Sequence, residues 1–293
     1  MASSVVSSSV IHGSEVRLAR PRDVPALVEW LAHDHAVHLY FLSWLEHHAP
    51  SESRVADQQA LLWEPEGRAA LEGACLLMGA RLALLAAPRA PGARALGAAT
   101  ARLGARLEHL MGEREAVDEF WGAYAPASQP RLRLAQVFYG LDHAHALPRD
   151  PCALRLARPA DLDLVVGAAA AMYREELGAD PASLRPAAFR ALYLRRIQEG
   201  HVFLWTEDGE LLFKAELSCR SERWGAQLAG VYTPPPLRGR GVARKALGAL
   251  CRRLLASHAR LGLYVNEGNV PALRLYERLG FEPLCPWSSL YVV

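Results

Sequence analysis

The stretch AGVYTPPPLRGRGVARKALGA, Ala229 to Ala249, constrains this chain more than any other. Ala229 to Thr233 is a short apolar run with β-branched and aromatic residues, the pattern of a buried strand. Pro234, Pro235 and Pro236 end it, because proline has no N–H to give to a sheet ladder. Arg238-Gly239-Arg240-Gly241-Val242-Ala243 follows, and Leu247, Leu250, Leu254 and Leu255 then set a helical period. A strand, a glycine-bearing turn and a helix N-terminus in that order make an anion site. Glycine lets successive N–H groups point at one place, and the helix dipole adds partial positive charge there. Arg238, Arg240 and Arg244 add full charges.

Downstream, Leu261 to Asn266 reads as a second strand, Pro271 opens a short helix and Gly280 closes it. Arg238-x-x-Gly241-x-Ala243 resembles the pyrophosphate loop of the GNAT acetyltransferase family, Q/R-x-x-G-x-G/A. Asn269 to Phe281 resembles that family's N-x-x-A-x-x-L-Y-x-x-x-G-F segment. Loop, strand and helix in this order and spacing make a specific match over roughly Leu154 to Val293.

The resemblance implies an acyl-CoA-dependent N-acyltransferase with acetyl-CoA as the cofactor. It places the pyrophosphate on Arg238, Gly239, Arg240, Gly241, Val242 and Ala243. The strand edge at Val231 and Tyr232 would pair with the pantetheine arm, and Asn266 and Asn269 would contact the cofactor. Tyr276 falls where the family protonates the departing thiolate. For the base, the family often uses a Glu on the strand entering the loop, but Gly225 to Ala229 carries no carboxylate. Glu216, on the preceding strand, is the nearest candidate, because a carboxylate on a largely apolar strand can have a raised pKa. Pairing with Lys214 on the same strand face is the alternative role, and a water chain is the alternative base.

At 293 residues the chain suits two domains. Val16 to Asp23 (VRLARPRD) recurs as Leu154 to Asp161 (LRLARPAD), with Arg17 and Asp23 matched by Arg155 and Asp161, 138 residues on. The first half is therefore expected to be a diverged copy of the second. It reads as helix from Asp23 to His48, strands at Gly73–Met78 and Arg81–Ala86, and a helix from about Ala95. Pro88 to Arg94 takes the place of the loop, but Pro91 removes a needed donor, and Gly112 to Trp121 lacks the Asn and Tyr. The expected organisation is a tail over 1–14, a diverged domain over 15–140, a linker over 141–152 and an acetyltransferase domain over 153–293. The fold class is α/β (α+β): two tandem GNAT-like domains, each a mixed, mostly antiparallel sheet flanked by helices. His33, His35, His38, His47 and His48 crowd the first helical region, but no Asp, Glu or Cys stands at a convincing metal-ligand spacing, so a helix face is the preferred reading.

A net charge of +2 argues against a nucleic-acid partner. No apolar run approaches a membrane span. The five cysteines form no C-x-x-C pair and fit reduced thiols in the cytoplasm. The expected activity is N-acetylation of a primary amine, small or peptide-borne. The first half would wall the acceptor pocket or mediate assembly, for instance as a homodimer. The rivals are transfer of another acyl or aminoacyl group, and an acyl-CoA sensor or scaffold without turnover.

Overall fold

The computed structural model describes residues 15–47, 58–65, 70–79, 81–143 and 147–292. The serine-rich tail and His48 lie outside them. The chain divides into two compact units. One comprises Met1–Phe138, Tyr264–Gly268 and Leu284–Val293; the other comprises Tyr139–Leu263 and Asn269–Pro283.

The first unit's sheet contains β1 (Val16–Leu18), β2 (Gln58–Trp63), β3 (Gly73–Met78), β4 (Leu82–Ala86), β5 (His109–Glu113), β6 (Leu132–Leu141, through Phe138) and β12 (Glu282–Tyr291, from Leu284). Their order is β1-β2-β3-β4-β5-β12-β6. The β1–β4 neighbours are antiparallel, β4 and β5 are parallel, and β12 lies antiparallel to β5 with Trp287 opposite Glu113 and Tyr291 opposite His109. The last strand of the chain is thus inserted beside a strand from the first half. Leu290 explains its place: it is fully buried in one apolar core with Trp63, Leu85, Leu96, Val117 and Phe120.

Helices α1 (Val24–Ala32) and α2 (Leu39–His47) follow β1, while α3 (Ala90–Arg102) and α4 (Arg114–Tyr124) flank β5 in sequence. The sequence pattern began α3 near Ala95 and put a loop before it. Instead Pro91 occupies the first turn, where its missing N–H costs nothing. Strand β2 went unread, because its partners β1 and β3 are distant in sequence.

The second unit's sheet runs β11-β10-β9-β8-β7. Its strands are β7 (Arg155–Leu156), β8 (Val202–Glu207), β9 (Glu210–Ser221), β10 (Gly225–Tyr232) and the first half of β11 (Leu261–Asn266). All neighbours are antiparallel except β10 and β11. Asp208 and Gly209, both at positive φ, make the tight turn between β8 and β9. Helix α5 (Leu162–Leu177) ends at Gly178 in the left-handed region. The next helical stretch is broken into α6 (Pro181–Leu184) and α7 (Pro186–Gln198), because Pro186 disfavours helical geometry at Arg185. Helices α8 (Val242–Leu255) and α9 (Val270–Arg278) complete the unit. Val165, Ala169, Phe189, Tyr193, Val202 and Leu204 form a core under α5 and α7.

The sequence repeat is also a structural repeat. Arg17 clamps Asp23 through both guanidinium nitrogens at 2.6 and 3.1 Å, and Arg155 clamps Asp161 at 2.6 and 2.9 Å. In each copy the carboxylate also accepts from the backbone N–H three residues earlier, at 2.6 Å from Arg20 and 2.7 Å from Arg158. The guanidinium holds each carboxyl below the usual carboxylate range.

Candidate active site

Strand β10 carries two departures from a regular ladder. On its β9 side, Ala229 faces Glu216 and Tyr232 faces Lys214, so β10 has one residue too many over that step. This bulge places Gly230 at φ +55°. On its other side β10 pairs with β11 only at Ala226–Leu261 and Gln227–Gly262. Among the described residues no ladder pair with β11 follows Gln227, so the β10 edge that includes Val231 and Tyr232 has no strand partner on that side.

Past the strand, Pro235–Leu237 forms one 3-10 turn and the chain enters the glycine loop. Gly239 and Gly241 lie at φ +74° and +79°, which L side chains rarely adopt, and a Cβ at either would meet nothing within 4 Å. Gly241 is the N-cap of α8 and no side chain caps that end. The N–H groups of Val242 and Ala243 therefore lack intrahelical partners, as at any helix start. Arg240 and Arg244 are exposed and form no ion pair among the described residues. The buried Thr233 hydroxyl beside the loop also has no hydrogen-bond partner there. Together these groups fit an anionic ligand carrying a diphosphate: free amides, free cations, room at the glycines and an orphaned hydroxyl.

Arg238 is committed elsewhere. It holds Glu175 at the end of α5 through both carboxylate oxygens, at 3.0 and 2.8 Å, and donates to the Thr233 carbonyl at 2.9 Å. Its guanidinium also lies over the Tyr232 ring. It acts as a staple between loop and helix. An open groove of about 410 Å³ lies alongside, lined by Leu164, Ala168 and Ala171 of α5, by Leu211 and by Tyr232.

Glu216 is 1% exposed and Lys214 0%. One Glu216 oxygen meets Lys214 Nζ and the other meets an Arg196 nitrogen. These two cations outweigh burial and hold the carboxyl below its usual range. That argues against the base role expected from sequence, since an ionised carboxylate locked by two cations is a weak proton acceptor. The pair instead supports the bulge: Lys214 Nζ donates to the Gly230 carbonyl at 3.2 Å, and a Cβ on Gly230 would come within 2.6 Å of Glu216 Oε1.

Tyr276, on α9, is 7% exposed and packs edge-on against Phe281. Burial, with lesser contributions from Glu176 and Cys251, raises its pKa, so the phenol keeps its proton at any working pH. Its hydroxyl has no hydrogen-bond partner among the described residues. The side chain of Asn269 caps α9, its Oδ1 accepting from Ala272 N–H at 3.2 Å. Asn266 groups with the first unit, where its Oδ1 accepts from Gln136 Nε2 at 2.9 Å. The last turn of α5 carries two adjacent carboxylates, Glu175 and Glu176, where the helix dipole disfavours negative charge.

The corresponding place in the first unit is filled. Gly92, in the first turn of α3, packs so closely on Trp63 that a Cβ would lie 2.4 Å from the indole. Arg89, before that helix, pairs with Glu72 at 3.1 Å. Among the histidines, His38 stacks on Trp30 and burial lowers its pKa to about 4, while His33 and His47 each bond a backbone carbonyl one turn earlier.

Residues 169–281 match the model of the acetyltransferase (GNAT) family. That stretch of the second half is similar to the domain of that family. Solved GNAT proteins share the fold across nearly the whole length. An acetyltransferase of the GNAT family from Colwellia psychrerythraea is 12% identical, with 95% of this chain and 99% of that one covered at a TM-score of 0.55. A GCN5-related N-acetyltransferase from Sphaerobacter thermophilus is 16% identical, with 94% of each chain covered at 0.57. A tandem GNAT protein from the clavulanic acid biosynthesis pathway is 17% identical, with 95% and 98% covered at 0.52. A search of curated proteins gives no match. The fold is therefore that of the tandem GNAT proteins, and the family match over residues 169–281 points to acyl transfer from acetyl-CoA in general.

Proposed function

We propose that this protein is an acetyl-CoA-dependent N-acetyltransferase acting on a primary amine, free or peptide-borne, with one cofactor site in the second unit. The observation that carries this reading is the β10 edge, without a strand partner among the described residues, ahead of a glycine loop and an uncapped helix. Acetyl-CoA supplies an acetyl thioester, an acyl group already activated towards amines. The N–H groups of Gly239, Gly241, Val242 and Ala243 bind its diphosphate, with Arg240 and Arg244 adding charge. The β10 edge at Val231 and Tyr232 orients the pantetheine amides. Lys214 fixes the bulge through the Gly230 carbonyl and so positions that edge. Tyr276 Oη holds the proton destined for the leaving sulfur.

Among the described residues none of the five cysteines forms a disulfide. We accordingly place the protein in a reducing compartment, the cytoplasm. Among the described residues no helix is long and apolar enough to cross a membrane.

Calorimetric titration with acetyl-CoA, followed by thiol-release assays over a panel of amines, tests the reading. Micromolar-range binding and amine-dependent thiol release are expected. An absence of acetyl-CoA binding refutes it. Binding without turnover favours the second reading, an acyl-CoA sensor, for which the charge-locked Glu216 is the supporting observation.

A further inference from the structure

Three charged side chains meet at the β10 bulge. Lys214 and Glu216 stand two residues apart on one face of β9, both buried, and Arg196 reaches Glu216 from α7. Tyr193, three residues before Arg196 on the same side of α7, places its ring centroid 5.6 Å from Lys214 Nζ. Helix α7 thus holds the pair at both members, an aromatic face against the ammonium and a guanidinium against the carboxylate.

Stability does not call for this arrangement. Apolar residues of similar volume in place of a buried ion triad are often neutral or stabilising. What apolar residues cannot do is hold a backbone carbonyl. Lys214 Nζ donates to the Gly230 carbonyl at 3.2 Å, within the step where the register of β10 against β9 shifts. The groups lie so close that a Cβ on Gly230 would come 2.6 Å from Glu216 Oε1 and 3.0 Å from Lys214 Nζ. The planar trans peptide that carries this carbonyl carries the Val231 N–H on its opposite side. Whatever fixes the one fixes the direction of the other.

We propose that Arg196, Glu216 and Lys214 are positioning residues, which aim the Gly230–Val231 peptide so that the β10 edge meets the pantetheine arm; this rests on the N-acetyltransferase reading. Arg196 acts through Glu216, Glu216 through Lys214, and Lys214 on the carbonyl. For Glu216 this is a role in geometry and not in proton transfer. A carboxylate held by two cations fixes the ammonium in one place, and the ammonium fixes the peptide. The device also links α7 to the cofactor edge, two elements that share no strand pairing.

Two ligands separate positioning from stability: acetyl-CoA carries the pantetheine arm, whereas ADP carries the diphosphate without it. Full-length wild type is compared with the double variant Lys214→Met with Glu216→Leu, with Arg196→Met and with Arg196→Lys. Each is followed by calorimetric titration and thermal melting. The double variant loses the contact to Gly230 but keeps an apolar core, so its melting temperature should stay near that of wild type. Its acetyl-CoA affinity should fall by roughly 10- to 100-fold, the scale of one or two lost hydrogen bonds. Its ADP affinity should not change. Arg196→Met leaves Lys214 and Glu216 paired and should weaken acetyl-CoA binding several-fold, again without touching ADP; Arg196→Lys should restore it. If the double variant does not fold, the two Arg196 variants decide alone, because that side chain is partly exposed. A folded double variant that binds acetyl-CoA within about threefold of wild type overturns the assignment. Equal losses for acetyl-CoA and ADP overturn it too, since they mean general damage to the site. Wild-type acetyl-CoA affinity in Arg196→Met overturns the part given to α7. Wild type that binds ADP but not acetyl-CoA refutes the underlying cofactor reading, and the assignment falls with it.

Discussion

Replacing Lys214 with Met tests how the charged core of the second unit is held together. The methionine keeps most of the stem but removes an ammonium that is fully buried and makes two polar contacts, to Glu216 and to the Gly230 carbonyl. Glu216 is then left at 1% exposure with Arg196 as its one cation among the described residues. Removing one partner of a buried pair costs about 3–5 kcal/mol, since the remaining charge is neither solvated nor fully compensated. At about 2–4 °C per kcal/mol for a domain of this size, the transition of the second unit should fall by about 6–20 °C.

The effect has a pH signature. In the wild type the folded Glu216 carboxyl lies below its unfolded value. Its contribution to stability is therefore present above the unfolded pKa and is lost as pH falls through the folded one. In the variant that depression is mostly gone, and protonation relieves the stranded carboxylate. The gap between variant and wild type should be widest at neutral pH and narrow below about pH 4.5. The double variant Lys214→Met with Glu216→Leu, which leaves only the partly exposed Arg196 guanidinium without its partner, should regain most of the loss. Urea unfolding followed by fluorescence across pH 4 to 8 measures all three proteins. A single variant within about 1 kcal/mol of wild type at pH 7, or a double variant less stable than the single, would refute the reasoning.

Gly241→Val should abolish measurable acetyl-CoA binding in calorimetry. Its Cβ fills the open space above the loop, and φ +79° adds about 1–2 kcal/mol of backbone strain. Unchanged affinity would remove the basis of the cofactor site. Tyr276→Phe keeps the ring against Phe281 and should lower kcat by roughly 10- to 1000-fold, with acetyl-CoA affinity and melting temperature unchanged; wild-type turnover would leave Tyr276 as packing alone. Native mass spectrometry should show one CoA per chain, because Trp63 occupies the space over Gly92 in the first unit. Two per chain would contradict that.

The glycine loop, the Gly280 stop and the Arg–Asp repeat were legible in the sequence because each depends on residues within a few positions of one another. Gly241 must be glycine wherever the chain turns at positive φ into a helix, and Arg155 reaches Asp161 in either copy of the repeat. The sequence also carried the order strand, loop, helix, strand, helix from Ala229 to Gly280, since apolar periods are local. Tertiary structure decided the rest. Nothing in Leu284 to Val293 states that its strand inserts beside β5; Leu290 finds its core among residues far away in sequence. Strand β2 depends on partners on either side of it that are equally remote. Glu216 looked like a base because its strand is apolar, and only folding brought Arg196 from α7 to its second oxygen and reversed the direction of its pKa. Burial and long-range charge pairing set proton affinities, and neither is a property of a segment read alone.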